Sequence, residues 1–214
     1  MTRTPKSPQH AIEDPKLDEF LAEVPAHEKF LVAAGLPAAG SADFLRRWFT
    51  AWRHQHTDGI IGCCTDDVAF VDPGTGGVLR GARLLRDYTD RFFVAVPDLV
   101  FYPQGGTDVM PYWDFYRGQV RVTVPWRAVG RFSHTLALPE WPALAATGRD
   151  LNFVGIDRYV LTDDFRIARI DTDYDMVGIL QQVGLIPDLL HPSMRAAVFV
   201  ERQVAPLLRA FARA

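Results

Sequence analysis

The chain of 214 residues lacks several features that would place it in a specialised class of protein. It contains no run near the roughly 18 consecutive apolar residues that span a membrane. Its net charge of −3 and pI near 6.1 argue against nucleic acid or an anionic membrane as the main partner. Residues 1–14 are polar and lack the apolar stretch of a secretory signal. We therefore expect a cytoplasmic protein.

Cysteine is nearly absent as well. Cys63 and Cys64 are adjacent in sequence, which fits neither a disulfide framework nor a zinc site, and we expect them to be core thiols on an apolar helix. His54 and His56 lie two residues apart at a helix end, so they do not share a helical face and do not form a metal-binding pair. No metal site and no cofactor are predicted.

The content of hydrophobic residues, 48%, and of charged residues, 23%, is ordinary for a globular protein, and the length suits one domain with a substantial core. We divide the chain into an N-terminal tail and helical extension (1–40), a central domain (41–187) and a C-terminal helical extension (188–214). Residues 1–14 are expected to be disordered, and Pro25 is expected to break the helix that follows them.

The order of predicted elements indicates an α+β fold. Helices come first, then a short strand, a further helix and four long strands, which predicts a curved, mostly antiparallel sheet with helices on one side. Ser41 is expected to cap the first helix of the central domain, and Asp175 the last. The predicted helices cover 58–64, 82–94, 176–183 and 193–211, and the predicted strands end at Asp72 or cover 99–102, 120–129, 151–161 and 167–174.

Two acidic residues occupy the apolar faces of predicted strands. By the two-residue period of a strand, Asp72 shares a face with Phe70, and Asp157 shares a face with Tyr159. A carboxylate on such a face must be paired, hydrogen-bonded or raised in pKa, so two of them suggest a cavity with acid–base chemistry. The alternatives are that Asp72 forms a turn before Pro73 and that Asp157 secures a loop or helix end.

These elements and several short motifs resemble the nuclear transport factor 2-like superfamily, and within it the branch of ketosteroid isomerases and SnoaL-like polyketide cyclases. The resemblance covers about residues 41–187. It implies a cone-shaped α+β barrel with a deep, mostly apolar pocket, commonly in a homodimer. The motifs that carry it are TDDVAFVDP at 65–73, PDL at 97–99, TGR at 147–149, GIDRY at 155–159, DYD at 173–175 and LQQVGL at 180–185.

The resemblance also implies roles for single residues. Asp72 matches the base that removes a proton in ketosteroid isomerases, and Asp157 matches the protonated aspartate that donates to the developing oxyanion. The place of the partner tyrosine falls on Trp48, whose indole N–H can donate one hydrogen bond but cannot act as an acid. This departure argues against genuine steroid isomerisation and leaves Trp48 as a second donor or a steric wall.

Two other activities of this fold find weaker matches. Epoxide hydrolases use an Arg-x-Asp and a second Asp, whereas this chain has Thr123 after Arg121 and Thr172 at the second place. Some SnoaL-like cyclases use an aspartate of the last strand. Here the candidates are Asp171 and Asp173, but alternation places both on the less apolar face, which should point outward.

We therefore expect a cofactor-independent isomerase or cyclase that removes a proton next to a carbonyl group of an apolar compound. The alternative is a non-catalytic binding or assembly module of the same fold. The expected partners are a hydrophobic small molecule and a second copy of the chain. Aromatic residues that could bind the ligand, or simply belong to the core, are Trp48, Trp52, Phe70, Tyr88, Trp126 and Tyr159.

Overall fold

The computed structural model describes residues 8–104, 111–138, 142–187 and 192. Five helices and seven strands lie in these ranges, and the predicted α+β class is confirmed. In chain order they are α1 (Pro8–Ala33), α2 (Ser41–Arg53), α3 (Thr57–Gly62), β1 (Cys64–Val71), β2 (Val78–Arg80), α4 (Ala82–Ala95), β3 (Val100–Pro103), β4 (Tyr112–Tyr116), β5 (Gln119–Arg131), β6 (Asp150–Leu161), β7 (Ile167–Tyr174) and α5 (Met176–Gln182).

The strands form one strongly curved sheet that does not close on itself. Their order is β2-β1-β7-β6-β5-β3, and β4 pairs with the first half of β5. Every pairing is antiparallel except that of β1 with β7. The register shifts within β1 and near the end of β6 are irregularities of the kind that increase twist and bend a sheet. The predicted cone of mostly antiparallel strands is thus confirmed.

Helix α2 packs one apolar face against the rest of the fold. Phe44, Trp48 and Phe49 are at most 1% exposed, at the spacing of one helical stripe. The predicted cap by Ser41 is wrong, because Ser41 is already the first helical residue. The carboxylate of Glu28 instead accepts hydrogen bonds from the first backbone N–H groups, including that of Ala42 at 2.6 Å. A negative charge at this end also suits the helix dipole.

Helix α1 differs from its prediction in two respects. It begins at Pro8, so the expected disorder of residues 8–14 is wrong, and it continues through Pro25 without a break. Residues 1–7 lie outside the described residues. The reason is packing: Leu17, Phe20 and Val24 are at most 1% exposed. Burial of each such side chain stabilises by roughly 1.5–3 kcal/mol, which together outweighs the cost of about 3 kcal/mol for a proline within a helix.

Other details of the sequence-based prediction also need adjustment. Strands β2 and β4 are additions to the predicted set. Both cysteines are buried, as expected for core thiols, but Cys63 follows α3 and Cys64 begins β1 rather than lying on a helix. The predicted helix 193–211 lies outside the described residues. Among the described residues, no helix is long and apolar enough to cross a membrane. The three-part division, the homodimer and the cytoplasmic location stay predictions.

The packing of α1 can be tested by replacing Phe20 with alanine. Phe20 is fully buried and meets Phe49 edge to face, with 5.3 Å between ring centroids. We expect Phe20→Ala to lower the free energy of unfolding by roughly 3–5 kcal/mol in urea denaturation. Phe30, on the same helix but 69% exposed, provides the matched control, and Phe30→Ala should change stability by less than about 0.5 kcal/mol. Equal effects would contradict the packing of α1 on the core.

Candidate active site

A cavity lies between the concave face of the sheet and helices α2, α4 and α5. Its volume is about 140 Å³. The sheet contributes Trp126 and Phe153, and α5 with the segment after it contributes aliphatic side chains such as Leu180 and Leu185. Among the described residues that line it, none is Lys, Arg or His. The cavity therefore suits an apolar ligand without a buried negative charge.

Both predicted acids line this cavity, Asp72 at 7% exposure and Asp157 at 6%. Of the predicted aromatic residues, Trp48, Trp52, Phe70, Tyr88 and Trp126 line it too. Tyr159 does not: it lies behind Asp157, and its hydroxyl contacts that carboxyl in place of the expected contact with a ligand.

Asp72 is held by three hydrogen bonds on one oxygen. Its Oδ1 accepts from the hydroxyls of Tyr174 (2.7 Å) and Tyr88 (3.0 Å) and from the backbone N–H of Gly74 (2.7 Å). The bond from Gly74 closes the turn expected before Pro73, so Asp72 both forms the turn after β1 and faces the cavity. Its Oδ2 accepts no hydrogen bond from any described residue, which leaves that oxygen available to a ligand.

Burial raises the pKa of Asp72, and the hydrogen bonds from Tyr174, Gly74 and Tyr88 partly offset that rise. The same burial, together with the charge of Asp72, raises the pKa of both tyrosines. Both hydroxyls therefore stay protonated and act as donors to Asp72. Their contacts favour the ionised form of the carboxyl in an apolar setting.

Asp157 accepts hydrogen bonds on both of its oxygens. Tyr159 donates to Oδ2 at 2.5 Å, and Thr172, on the neighbouring strand β7, donates to Oδ1 at 2.8 Å. Burial raises the pKa of Asp157 to about 6, although these hydrogen bonds oppose the rise. The nearby charge of Asp72 adds to the rise, which indicates that the two carboxyls share one electrostatic environment.

The indole of Trp48 has a different partner from the one expected. Its N–H donates to the hydroxyl of Tyr159 at 3.0 Å, and the two rings meet edge to face. Because an indole has one N–H and no acceptor, Trp48 cannot also donate to a ligand oxygen in this arrangement. The expected role of Trp48 as a second donor is therefore wrong. Its N–H holds Tyr159, and its ring serves as a steric wall of the cavity.

Two residues that the sequence places on the inward face of the last strand, without a role in the site, contact the two acids in the structure. Thr172 and Tyr174 share the inward face of β7 by simple alternation, and the structure places one on Asp157 and the other on Asp72. The outward orientation predicted for Asp171 and Asp173 agrees with their ion pairs, to Arg169 and Arg158 respectively. No acid of the last strand faces the cavity.

The described residues offer no alternative centre for metal chemistry, since no group of three or more His, Cys, Asp or Glu side chains among them could hold a metal ion.

Comparison with known proteins agrees with this architecture. The sequence model of the SnoaL-like domain family matches residues 45–170. No curated protein matches the chain by sequence.

Solved structures of similar shape come from several bacteria, and their low identity means that the similarity concerns the fold alone. AclR of Streptomyces galilaeus, a proposed hydroxylase, has a TM-score of 0.55 at 15% identity over 82% of this chain and 98% of its own. TsrD of Streptomyces laurentii has a TM-score of 0.53 at 16% identity, covering 69% and 97%. A proposed polyketide cyclase of Xanthomonas campestris has a TM-score of 0.52 at 16% identity, covering 66% and 95%.

Replacing Asp157 with asparagine should change how stability depends on pH. The pKa of Asp157 is raised from 3.8 to about 6 in the folded chain, so the folded state holds this proton more tightly than the unfolded state. The resulting stabilisation is present at low pH and is lost as the pH rises through 6. We expect the free energy of unfolding of the native protein, relative to Asp157→Asn, to fall by roughly 2 kcal/mol between pH 4 and pH 7.

Urea denaturation of both proteins across this pH range measures the difference. A difference that stays constant with pH would show that Asp157 ionises as easily in the cavity as in the unfolded chain.

Proposed function

The chain belongs to the SnoaL-like domain family, and we propose that it is a cofactor-independent isomerase or cyclase that removes a proton next to a carbonyl group in its apolar cavity. The observation that carries this proposal is that two carboxyls in one cavity differ in their hydrogen bonding. Asp72 has one oxygen without a hydrogen bond, whereas both oxygens of Asp157 accept from protein hydroxyls. Two acids with different environments are the usual arrangement for separate acid and base roles.

Asp72 is the proposed base. Three donors on one oxygen favour its ionised form, and the charge of Asp72 raises the pKa of Asp157, so we assign the proton to Asp157 and the negative charge to Asp72. Oδ2 of Asp72 then takes the proton from the carbon next to the carbonyl, and the C–H bonding electrons pass to the carbonyl oxygen. Tyr88 and Tyr174 hold the carboxylate in place during the transfer. A base in this position typically contributes about 10²–10⁴-fold.

Asp157 and Thr172 are the proposed acid pair. When Asp157 is protonated, its O–H can donate a hydrogen bond to the Thr172 hydroxyl, which then turns its own hydrogen toward the ligand. Thr172 lines the cavity, so its hydroxyl can reach an enolate oxygen there. Tyr159 already accepts the hydrogen bond of Trp48 and stays in place behind Asp157. The enolate is thus stabilised by a donor that needs little reorganisation.

The proposed substrate is an uncharged, ring-shaped carbonyl compound. The absence of Lys, Arg and His from the described lining disfavours a carboxylate or phosphate inside the cavity. The volume of about 140 Å³ is close to that of an apolar cavity of roughly 150 Å³ known to hold benzene, so one ring fits better than a flat polycycle. The enolate then either takes back the proton at another carbon, which isomerises the compound, or attacks a second carbonyl, which closes a ring.

The alternative is that the same cavity binds a small molecule without catalysis. One observation favours it: both oxygens of Asp157 are already satisfied by Tyr159 and Thr172, as in a purely structural carboxyl. This alternative predicts ligand binding that is independent of Asp72 ionisation and no exchange of carbon-bound hydrogen.

The catalytic proposal is tested with 3-cyclohexen-1-one, a single-ring ketone whose double bond moves into conjugation when a proton is removed from C2 and returned to C4. We expect the chain to accelerate this change, followed by ultraviolet absorption, and to catalyse deuterium incorporation in D₂O, followed by NMR. Asp72→Asn should lower both rates by about 10²–10⁴-fold. The amide oxygen of asparagine can still accept from Tyr88 and Tyr174, so the fold should persist.

Asp173→Asn is the matched control, because Asp173 is an exposed carboxyl on the outer face that pairs with Arg158. It should leave both rates unchanged. Rates that survive Asp72→Asn would overturn the assignment of the base. Binding of the ketone by the native chain without any exchange would favour the binding module.

Removing a hydroxyl donor from Asp72 should shift the pH dependence of the reaction. The hydrogen bond from Tyr174 lowers the pKa of Asp72, so Tyr174→Phe raises that pKa and reduces the ionised fraction of the base at a given acidic pH. We expect the acidic limb of kcat/KM to move to higher pH in Tyr174→Phe. Tyr116→Phe, which changes an exposed tyrosine of β4, should leave the limb in place. If the acidic limb of kcat/KM does not move in Tyr174→Phe, ionisation of Asp72 does not control the rate at acidic pH.

A further inference from the structure

Two tryptophans of the cavity lining, Trp52 and Trp126, have a buried indole N–H without an acceptor among the described residues, and the proposed mechanism uses neither; only Trp126 lies on a strand next to Asp157. Trp126 is 4% exposed and lines the cavity, and its buried Nε1 has no hydrogen-bond acceptor among the described residues. A buried donor without an acceptor is costly, and native proteins rarely keep one without a reason.

The strand register directs this indole toward Asp157. Trp126 on β5 pairs directly with Gly155 on β6, and Asp157 is the next residue of β6 on the same face. A Cβ at position 155 would lie 2.4 Å from Cζ2 and 2.6 Å from Cη2 of the indole, so the glycine makes the space that the edge of the six-membered ring occupies. The indole N–H also acts on Asp157 as a weak hydrogen-bond donor that lowers the pKa of that carboxyl, although no contact between them has the distance and angle of a full hydrogen bond.

Aromatic neighbours fix the ring in this position. Its centroid lies 5.0 Å from that of Phe101, 5.6 Å from Phe153 and 6.2 Å from Tyr174. Tyr174 is also a donor to Asp72, so the indole spans the wall between the two acids. A donor held this firmly needs no rearrangement to meet a ligand atom.

We propose that the Trp126 N–H is the second hydrogen-bond donor to the ligand oxygen, beside the Asp157–Thr172 pair. This inference rests on the proposed function for the nature of that oxygen: a carbonyl that becomes an enolate. The site then selects flat ligands that carry an acceptor oxygen on the ring edge. Because indole N–H is neutral and cannot ionise here, its contribution is independent of pH, unlike that of Asp157.

Phenol and benzene form the probe pair, because they match in shape and differ by one oxygen. In ¹⁵N–¹H spectra of the native chain, the five tryptophans give up to five indole signals, which single Trp→Phe variants assign. We expect phenol to move the Trp126 signal downfield and benzene to move it far less. The signals of Trp48, whose N–H donates to Tyr159, and of Trp113, which does not line the cavity, should change little.

Trp126→Phe supplies the affinity measurement. It should weaken phenol binding roughly 10- to 100-fold and change benzene binding less than about threefold, since the apolar wall remains. Trp113→Phe is the matched control, because it too removes a buried indole N–H without an acceptor, but away from the cavity. It should alter neither affinity. If Trp126→Phe fails to fold, the native-chain spectra decide alone.

The inference is overturned if phenol does not bind, or if it binds without moving the Trp126 signal. It is also overturned if Trp126→Phe weakens the binding of phenol and benzene equally, or if Trp52→Phe instead causes the loss of affinity specific to phenol. These measurements involve no turnover. If the phenol measurements fail but deuterium exchange still depends on Asp72, only the role of Trp126 is rejected. If phenol binds through Trp126 but no exchange occurs, the proposed catalysis is rejected and Trp126 remains a donor to the ligand.

Discussion

The burial of the Asp157 carboxyl at the centre of the sheet is the constraint on which the rest of the site depends. A carboxyl taken out of water must be hydrogen-bonded or neutral, and this one meets both demands in part, with two hydroxyl donors and a pKa of about 6. Its donor Tyr159 is in turn held by Trp48 of helix α2. Since an indole can only donate, the direction of this chain of hydrogen bonds is fixed from the helix to the sheet.

The two acids differ because they occupy different places in the fold. Asp72 follows the end of β1, where the turn exposes a backbone N–H to one of its oxygens and leaves the other toward the cavity. Asp157 lies within β6, where Tyr159 of the same strand and Thr172 of β7 supply side-chain hydroxyls rather than backbone donors. The curved sheet brings both to one cavity, where the charge of Asp72 raises the pKa of Asp157. This effect favours a neutral Asp157 beside an ionised Asp72, which is the division of roles that the proposed function uses.

The apolar part of the cavity has a separate origin. Helix α5 together with Leu136, Leu138 and Leu144 contributes aliphatic side chains to the lining. None of these residues has a side chain that titrates, so they determine the shape of the cavity and exclude water. The sheet supplies most of the polar atoms. Such a division explains how one fold can serve many reactions: the strands fix the reactive groups, and the surrounding segments adjust which ligand fits.

By itself the sequence determined the fold class and the inward faces of the strands. Strict alternation placed Asp72, Asp157, Thr172 and Tyr174 on buried faces and turned Asp173 outward, because a strand's two-residue period fixes orientation locally. It could not determine which side chains meet across strands or between helix and sheet. The partner of Trp48 and the acceptor-less indole of Trp126 depend on register, curvature and packing, which involve residues far apart in the chain. The continuity of α1 through Pro25 was decided in the same way, since burial of Phe20 and its neighbours outweighs the local preference of a proline.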